Sequence, residues 1–462
     1  MHPPKIVWGV ITLLCLTGCQ HYQAKPLDSI ATQQSLLLRS LDEPGLRTFI
    51  SSQALPVRSE WDLPRLFLAG YYFSPELDIA SGQIRTALGT RLTADDLPNP
   101  SASFTPGYNQ DAVGAHPWSF GYALKLPLEI MSQRRLRQSG ADVAIEAAQL
   151  NFARSRWSLW STLRRHLIEL HAAESVAQLW RDQQPLLNRA TELVAAQVAA
   201  GEVSPLEATK AQVALHQTEL NVRASERAVI TARSHIAEAI GVPLTALDGR
   251  AISYRGLDTS SMPETLAELH ASAAQHRLDL VQSLNRYAAS QFALEQEIQR
   301  QWPDLSIGPG YNLDQGEGKW ALSLDFTLPV FNQNQGPIAV AEARRESVAA
   351  EFLAVQNHAL AEVDRAWSHY QSTRADLATI ASLQTQFRRQ TQLVEVLQAA
   401  GETSQLDVVR ARIELAHGTR SALDAFIQVE LALSALEDAV QNPYSLPLSS
   451  DQSIASRPRT SP

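Results

Sequence analysis

The sequence predicts an α+β membrane protein in which long antiparallel helices carry two β-hairpins. Three observations lead there. The chain repeats itself once; each copy holds a stretch of strict two-residue alternation; and each copy then enters a helical stretch far longer than the three or so turns of an average helix.

The repeat is plain in the residues. Pro100-Ser-Ala-Ser-Phe-Thr-Pro-Gly-Tyr-Asn109 returns as Pro303-Asp-Leu-Ser-Ile-Gly-Pro-Gly-Tyr-Asn312. Gln197-Val-Ala-Ala-Gly-Glu-Val-Ser-Pro-Leu206 returns as Leu397-Gln-Ala-Ala-Gly-Glu-Thr-Ser-Gln-Leu406. A period of about two hundred residues is a duplicated half, not a solenoid repeat. The expected organisation is a signal at 1–18, a tether at 19–61, a first repeat at 62–243, a linker at 244–262, a second repeat at 263–443 and a disordered tail at 444–462.

The N-terminus reads as a secretion signal, with Lys5 ahead of an apolar run from Ile6 to Leu16 that is too short to span a bilayer. Leu16-Thr17-Gly18-Cys19 is similar to the lipobox of bacterial lipoproteins, which implies lipidation of Cys19, and Gln20 after it implies sorting to the outer membrane of a Gram-negative cell. Residues 20–60 are polar and carry Pro26, Pro44, Gly45 and Pro56, the composition of a tether, with a short helix near Gln33 to Leu41. Cys15 falls within the signal, so no disulfide framework and no free thiol chemistry follow. A net charge of -9 gives no support to nucleic-acid binding.

A helix from Leu63 to about Asp96 is stopped by Leu97-Pro98-Asn99-Pro100. The period then changes to two. In Trp118–Leu128 every even position is large and apolar, and the odd ones are Ser119, Gly121, Ala123, Lys125 and Pro127. Trp320, Leu322, Leu324, Phe326, Leu328 and Val330 repeat the pattern. The partner strands, Ser101 to Tyr108 and Asp304 to Tyr311, alternate less cleanly, giving hairpins at 100–128 and 303–330.

Long helical hairpins follow at 130–241 and 337–441. Leu150, Trp157, Trp160, Leu163, Leu167 and Leu170 run close to heptad spacing, and seventy helical residues span about 105 Å. Each rod ends at Ala-Ala-Gly-Glu, a glycine stop followed by a serine N-cap for the returning helix.

Strands of this length suit a tilted crossing of a bilayer, with the large side chains toward lipid. Open edges in hydrocarbon leave backbone groups unpaired, and four strands cannot close a barrel. The chain must therefore oligomerise, two copies giving eight strands and three giving twelve. On the small-residue face Lys125 and Asp325 are lumen-facing candidates that either tune ion passage or are ordinary water-facing residues.

Two β-hairpins, two very long helical hairpins, the repeated Gly-Glu-x-Ser turn and the junction Phe326-Thr-Leu-Pro-Val-Phe-Asn-Gln-Asn-Gln-Gly336 together resemble the TolC family of outer-membrane efflux channels. The junction is closest to the CzcC-like cation-efflux branch. The resemblance covers roughly residues 62–443. It implies a homotrimer: a 12-stranded transmembrane β-barrel in the outer membrane, continued into the periplasm by an α-barrel of the long helices. It also implies a passive exit duct fed by a periplasmic adaptor (membrane fusion) protein and an inner-membrane pump of the resistance-nodulation-division type. Carried over to this sequence, the adaptor-docking tips are Gly201, Glu202, Val203, Ser204 and Leu206, with Gly401, Glu402, Thr403, Ser404, Leu406 and Asp407. Plain helix capping accounts for the same residues without any partner.

No P-loop, Gly-x-Ser-x-Gly or His-Glu-x-x-His motif occurs, so no catalytic residue and no cofactor are expected. His166 and His171 are five apart and do not share a helix face; His358 and Glu362 do, but lack a third ligand nearby in sequence. Solvated helix faces, and no metal site, are the reading. The rival architecture is a lipid-anchored periplasmic coiled-coil scaffold without a channel.

Overall fold

The computed structural model describes residues 22–53, 60–110, 117–129, 131–255, 257, 265–314 and 316–441. The signal, Cys19 and the tail at 444–462 lie outside the described residues.

Two short helices, α1 (Ser29–Leu37) and α2 (Pro44–Ser52), precede α3 (Leu63–Phe73) and α4 (Pro75–Asp95). The first hairpin is β1 (Ser101–Tyr108) and β2 (Trp118–Leu128), and the first long hairpin is α5 (Met131–Ala199) and α6 (Pro205–Ile240). The second half repeats the series: α7 (Leu266–His276), α8 (Leu278–Gln299), β3 (Leu305–Asp314), β4 (Glu317–Phe326), α9 (Gln335–Ala399) and α10 (Gln405–Val440). Pro185 sits inside α5 without ending it. Pairing with α6 and α10 along its length outweighs one lost backbone hydrogen bond.

The chain is layered in one consistent order. The strands pair antiparallel as β1-β2-β3-β4. Beneath them α4, α5, α8 and α9 pack as successive neighbours, and farther down α6, α5, α10 and α9 do the same. Each layer therefore has two open sides, one made by the first repeat and one by the second.

The main core lies where α3 crosses the long helices. Leu66, Phe67 and Leu68 of α3 are fully buried with Leu163, Leu167 and Leu170 of α5 and Ile236 of α6. Phe67 meets Trp160 edge-on, with ring centroids 5.4 Å apart.

Two expectations are corrected here. The N-terminal stretch is not simply a tether: its short helix is earlier, at Ser29–Leu37, and Leu41, Leu46 and Phe49 beyond it are buried in the main core. Arg39 donates to the carbonyls of Gly241 and Phe73 at 2.9 and 3.2 Å, fastening the segment to the end of α6. Nor is the described part of 244–262 a free linker. Leu247 and Leu257 are buried, and Trp61 pairs with Ile252 in a parallel bridge. Apolar residues spaced among polar ones carried too little periodicity to show that they are packed.

A buried cation joins the second-repeat helices. Arg277, between α7 and α8, donates to Asp279 at 2.7 Å, to Glu362 of α9 at 2.8 Å and to the carbonyl of Ala439 in α10 at 2.7 Å. Burial by itself would raise the Asp279 carboxyl. The Arg277 guanidinium more than offsets this and holds it below the usual carboxylate range.

Candidate functional site

Register sorts the sheet into two chemically different faces. Ser101 opposes Lys125, Ala123 opposes Gly310 and Gly310 opposes Ala321, so one face carries Ser103, Gly121, Ala123, Gly308, Ala321 and Ser323. The other carries Phe104, Trp118, Tyr122, Tyr311, Trp320 and Leu322, all but Tyr311 more than half exposed. Trp320 is 81% exposed in the single chain. Aromatic rings ladder across the strands: Phe104 to Tyr122 at 5.0 Å, Tyr108 to Trp118 at 4.9 Å and Tyr311 to Trp320 at 4.9 Å. So large an apolar face is out of place in water. The weak alternation of β1 and β3 is resolved by pairing, because each borrows its facing from its cleaner neighbour.

Lys125 and Asp325 both fall on the small-residue face and border the same hollow, with Pro127 and Ser306, at the end of the sheet next to the helices. At Gly308 there is no room for a side chain. A Cβ added at Gly308 would stand 2.8 Å from the Leu124 carbonyl oxygen and 2.6 Å from the Ser323 hydroxyl.

The two tips are built alike. Gly201 and Gly401 adopt φ of +76° and +80°, the left-handed conformation that ends a helix. The amides of Glu202 and Glu402 donate back to the carbonyls of Gln197 and Leu397, each at 2.9 Å. All four of these Gly and Glu residues are exposed; Val203 and Thr403 are half-buried. The following caps differ. Ser404 and Asp407 form a reciprocal capping box, joined by the Thr403 hydroxyl at 2.9 Å, whereas the Ser204 side chain makes no cap bond ahead of Pro205. Hydrogen bonds from Ser404 and Thr403 hold the Asp407 carboxyl below its ordinary value.

The leucines that follow are not equivalent either, which corrects their common assignment to the tip surface. Leu406 is buried with Ala190, Val194 and Val409, in the seam between α10 and α5. Leu206 is 60% exposed, and Val213 and Leu220 of α6 are exposed at the same seven-residue spacing. On the opposite open side Leu353, Leu360, Leu383, Leu393 and Val396 of α9 are also exposed. A row of exposed apolar residues on a long helix suits a partner helix.

His166 and His171 are half-buried rather than solvated, whereas His358 is exposed as its spacing suggests. His171 lies against Tyr254, with ring centroids 4.4 Å apart, and the Tyr254 hydroxyl donates to Glu174 at 2.5 Å. His166 faces Glu169 on its own helix and His235 on α6. His358 lies 3.9 Å from Glu362, whose carboxylate also serves Arg277. Only the antiparallel return of α6 brings residue 235 to residue 166, so no local spacing announces the group.

Among the described residues no helix is long and apolar enough to cross a membrane.

The outer membrane efflux protein family model matches residues 74–242. The cobalt-zinc-cadmium resistance protein CzcC of Cupriavidus metallidurans is 25% identical over 244 residues, 50% of this chain and 55% of that protein. The chain thus aligns with little more than half the length of this curated relative. Among solved structures, the outer-membrane channel OprN superposes with a TM-score of 0.69 at 17% identity, covering 92% of this chain and 99% of that one. The outer membrane protein VceC of Vibrio cholerae gives 0.68 at 17% identity, covering 82% and 96%. Residues 74–242 thus resemble the outer membrane efflux protein family, and the chain has the fold of the solved outer-membrane channels, long helices with a four-stranded antiparallel sheet.

Proposed function

We propose that three copies of this chain assemble head to tail into an outer-membrane exit duct. The observation that carries this reading is the coincidence of open sides: β1 and β4 end the sheet with unpaired edges, and beneath them α6 and α9 end the helix layers with exposed apolar side chains, Leu206, Val213 and Leu220 on α6 and Leu353, Leu360 and Leu393 on α9. Within one chain the corresponding seam is closed, with Leu406 and Val409 packed on Ala190 and Val194. Repeating that seam between Leu206 of one copy and α9 of the next makes a heterologous contact, which generates a ring when the rotation closes. Three copies give twelve strands, leaving a barrel with the apolar face toward lipid and the small-residue face, with Lys125 and Asp325, toward water.

In this reading acyl chains on Cys19 anchor the chain to the outer membrane, and the helices extend into the periplasm. The exposed Gly-Glu turns at 201–204 and 401–404 meet a periplasmic adaptor that connects the duct to an inner-membrane pump of the resistance-nodulation-division type. Energy comes from the pump, and the chain itself catalyses nothing. The likeness to CzcC supports metal cations as the solutes carried.

The test is to extract the full-length protein in detergent, determine its mass by native mass spectrometry and measure conductance in planar bilayers. A trimer that conducts supports the duct. A soluble monomer after removal of the Cys19 anchor overturns it in favour of a periplasmic scaffold.

A further inference from the structure

The first long hairpin gathers three metal-ligating side chains. His166 and Glu169 are three apart on α5 and share a face, with His166 Nδ1 2.9 Å from Glu169 Oε2. His235 comes from α6, its ring centroid 5.2 Å from that of His166. One donor atom from each of the three lies within 4.8 Å of the others. All three residues are half-buried, and the His235 ring nitrogens make no hydrogen bond or ion pair among the described residues. The backbones on either side are held in place, since Leu163, Leu167 and Ile236 are fully buried.

Two imidazoles and one carboxylate form the donor set of an open zinc-type site, which keeps its fourth position for water. Bonds of about 2.0–2.2 Å arranged tetrahedrally set donors about 3.4 Å apart, between the 2.9 Å of the His166–Glu169 pair and the 4.8 Å that bounds the group, an adjustment within reach of side-chain rotation. Imidazole favours zinc, copper, nickel and iron, whereas calcium and magnesium take oxygen cages. We propose that His166, Glu169 and His235 bind a divalent transition-metal cation of the zinc class, clamping α5 to α6. Counting two hundred residues on, the second repeat has Ala366, His369 and Ala435, so among the described residues the group occurs once. The site does not depend on the duct reading or on the solute the duct carries.

The experiment uses full-length protein in detergent, stripped with a chelator and titrated with Zn(II), Co(II) and, as a control, Ca(II). One saturable Zn(II) per chain and the visible bands of tetrahedral Co(II) are expected, with no Ca(II) competition. His166→Ala and His235→Ala lose the ion, and His216→Ala, an exposed residue paired with Glu219 on the same helix, keeps it. Glu169→Gln, which preserves side-chain volume, weakens binding by at least the 10–100-fold typical of losing an outer-shell partner, and it decides the matter where a histidine variant fails to fold. Absence of saturable Zn(II) binding by the unmodified protein, or unchanged stoichiometry in His235→Ala, overturns the proposal.

Discussion

The Arg189 guanidinium donates to the Gln405 side-chain oxygen at 3.0 Å, tying the flank of the first long hairpin to the tip of the second. In the first repeat the place of Gln405 is taken by Pro205, which offers no such acceptor. The two tips of one chain thus begin from different neighbours, even though their glycine turns are the same.

The seam beside that contact separates folding from assembly. Leu406→Ala opens a cavity against Ala190 and Val194 and is expected to lower the stability of the folded chain by about 2–4 kcal/mol. Leu206→Asp is expected to leave the single chain intact and to weaken the proposed trimer instead. Thermal unfolding reads the first effect and native mass spectrometry the second; equal effects of both substitutions on chain stability would contradict the assignment.

The sheet faces predict opposite responses to one charge. Leu322→Arg, on the exposed apolar face, is expected to cost about 2–4 kcal/mol in a bilayer and to reduce the yield of heat-modifiable trimer in the outer membrane. Ala321→Arg, one residue away on the small-residue face, is expected to assemble and to alter ion selectivity in bilayer recordings. Assembly of both at wild-type level would count against a lipid-facing sheet.

The caps predict unequal serines. Ser404→Ala removes a reciprocal box and should destabilise the start of α10 by about 1 kcal/mol, whereas Ser204→Ala, which loses no side-chain bond, should be near neutral. Amide hydrogen exchange at the two tips distinguishes them.

Acid should loosen the second repeat through Asp279. Its folded-state pKa lies below the unfolded one, so its contribution is fully present above about pH 4 and is lost as pH falls through the folded value. Asp279→Asn is expected to lower the melting temperature at neutral pH and to make it less sensitive to acid. A variant as acid-sensitive as the unmodified protein would remove Asp279 from this role.

What was legible in the sequence was whatever repeats over a short range. Even-numbered large residues from Trp118 to Leu128 declare a two-faced strand, and Ala-Ala-Gly-Glu before a serine declares the end of one helix and the start of the next. The repeat itself announced that the chain is built twice. Leu41, Leu46 and Phe49 look locally like part of a tether, because their burial depends on α3, which lies later in the chain.

The amino-acid sequence by itself determined the fold class, because backbone period and capping are local properties of neighbouring residues. Only the tertiary structure decided that Leu406 is covered while Leu206 is bare, that β1 and β3 take their facing from β2 and β4, and that His235 meets His166. Each is a choice between chemically similar residues made by an antiparallel neighbour far away in sequence, and local periodicity carries no information about that neighbour's register.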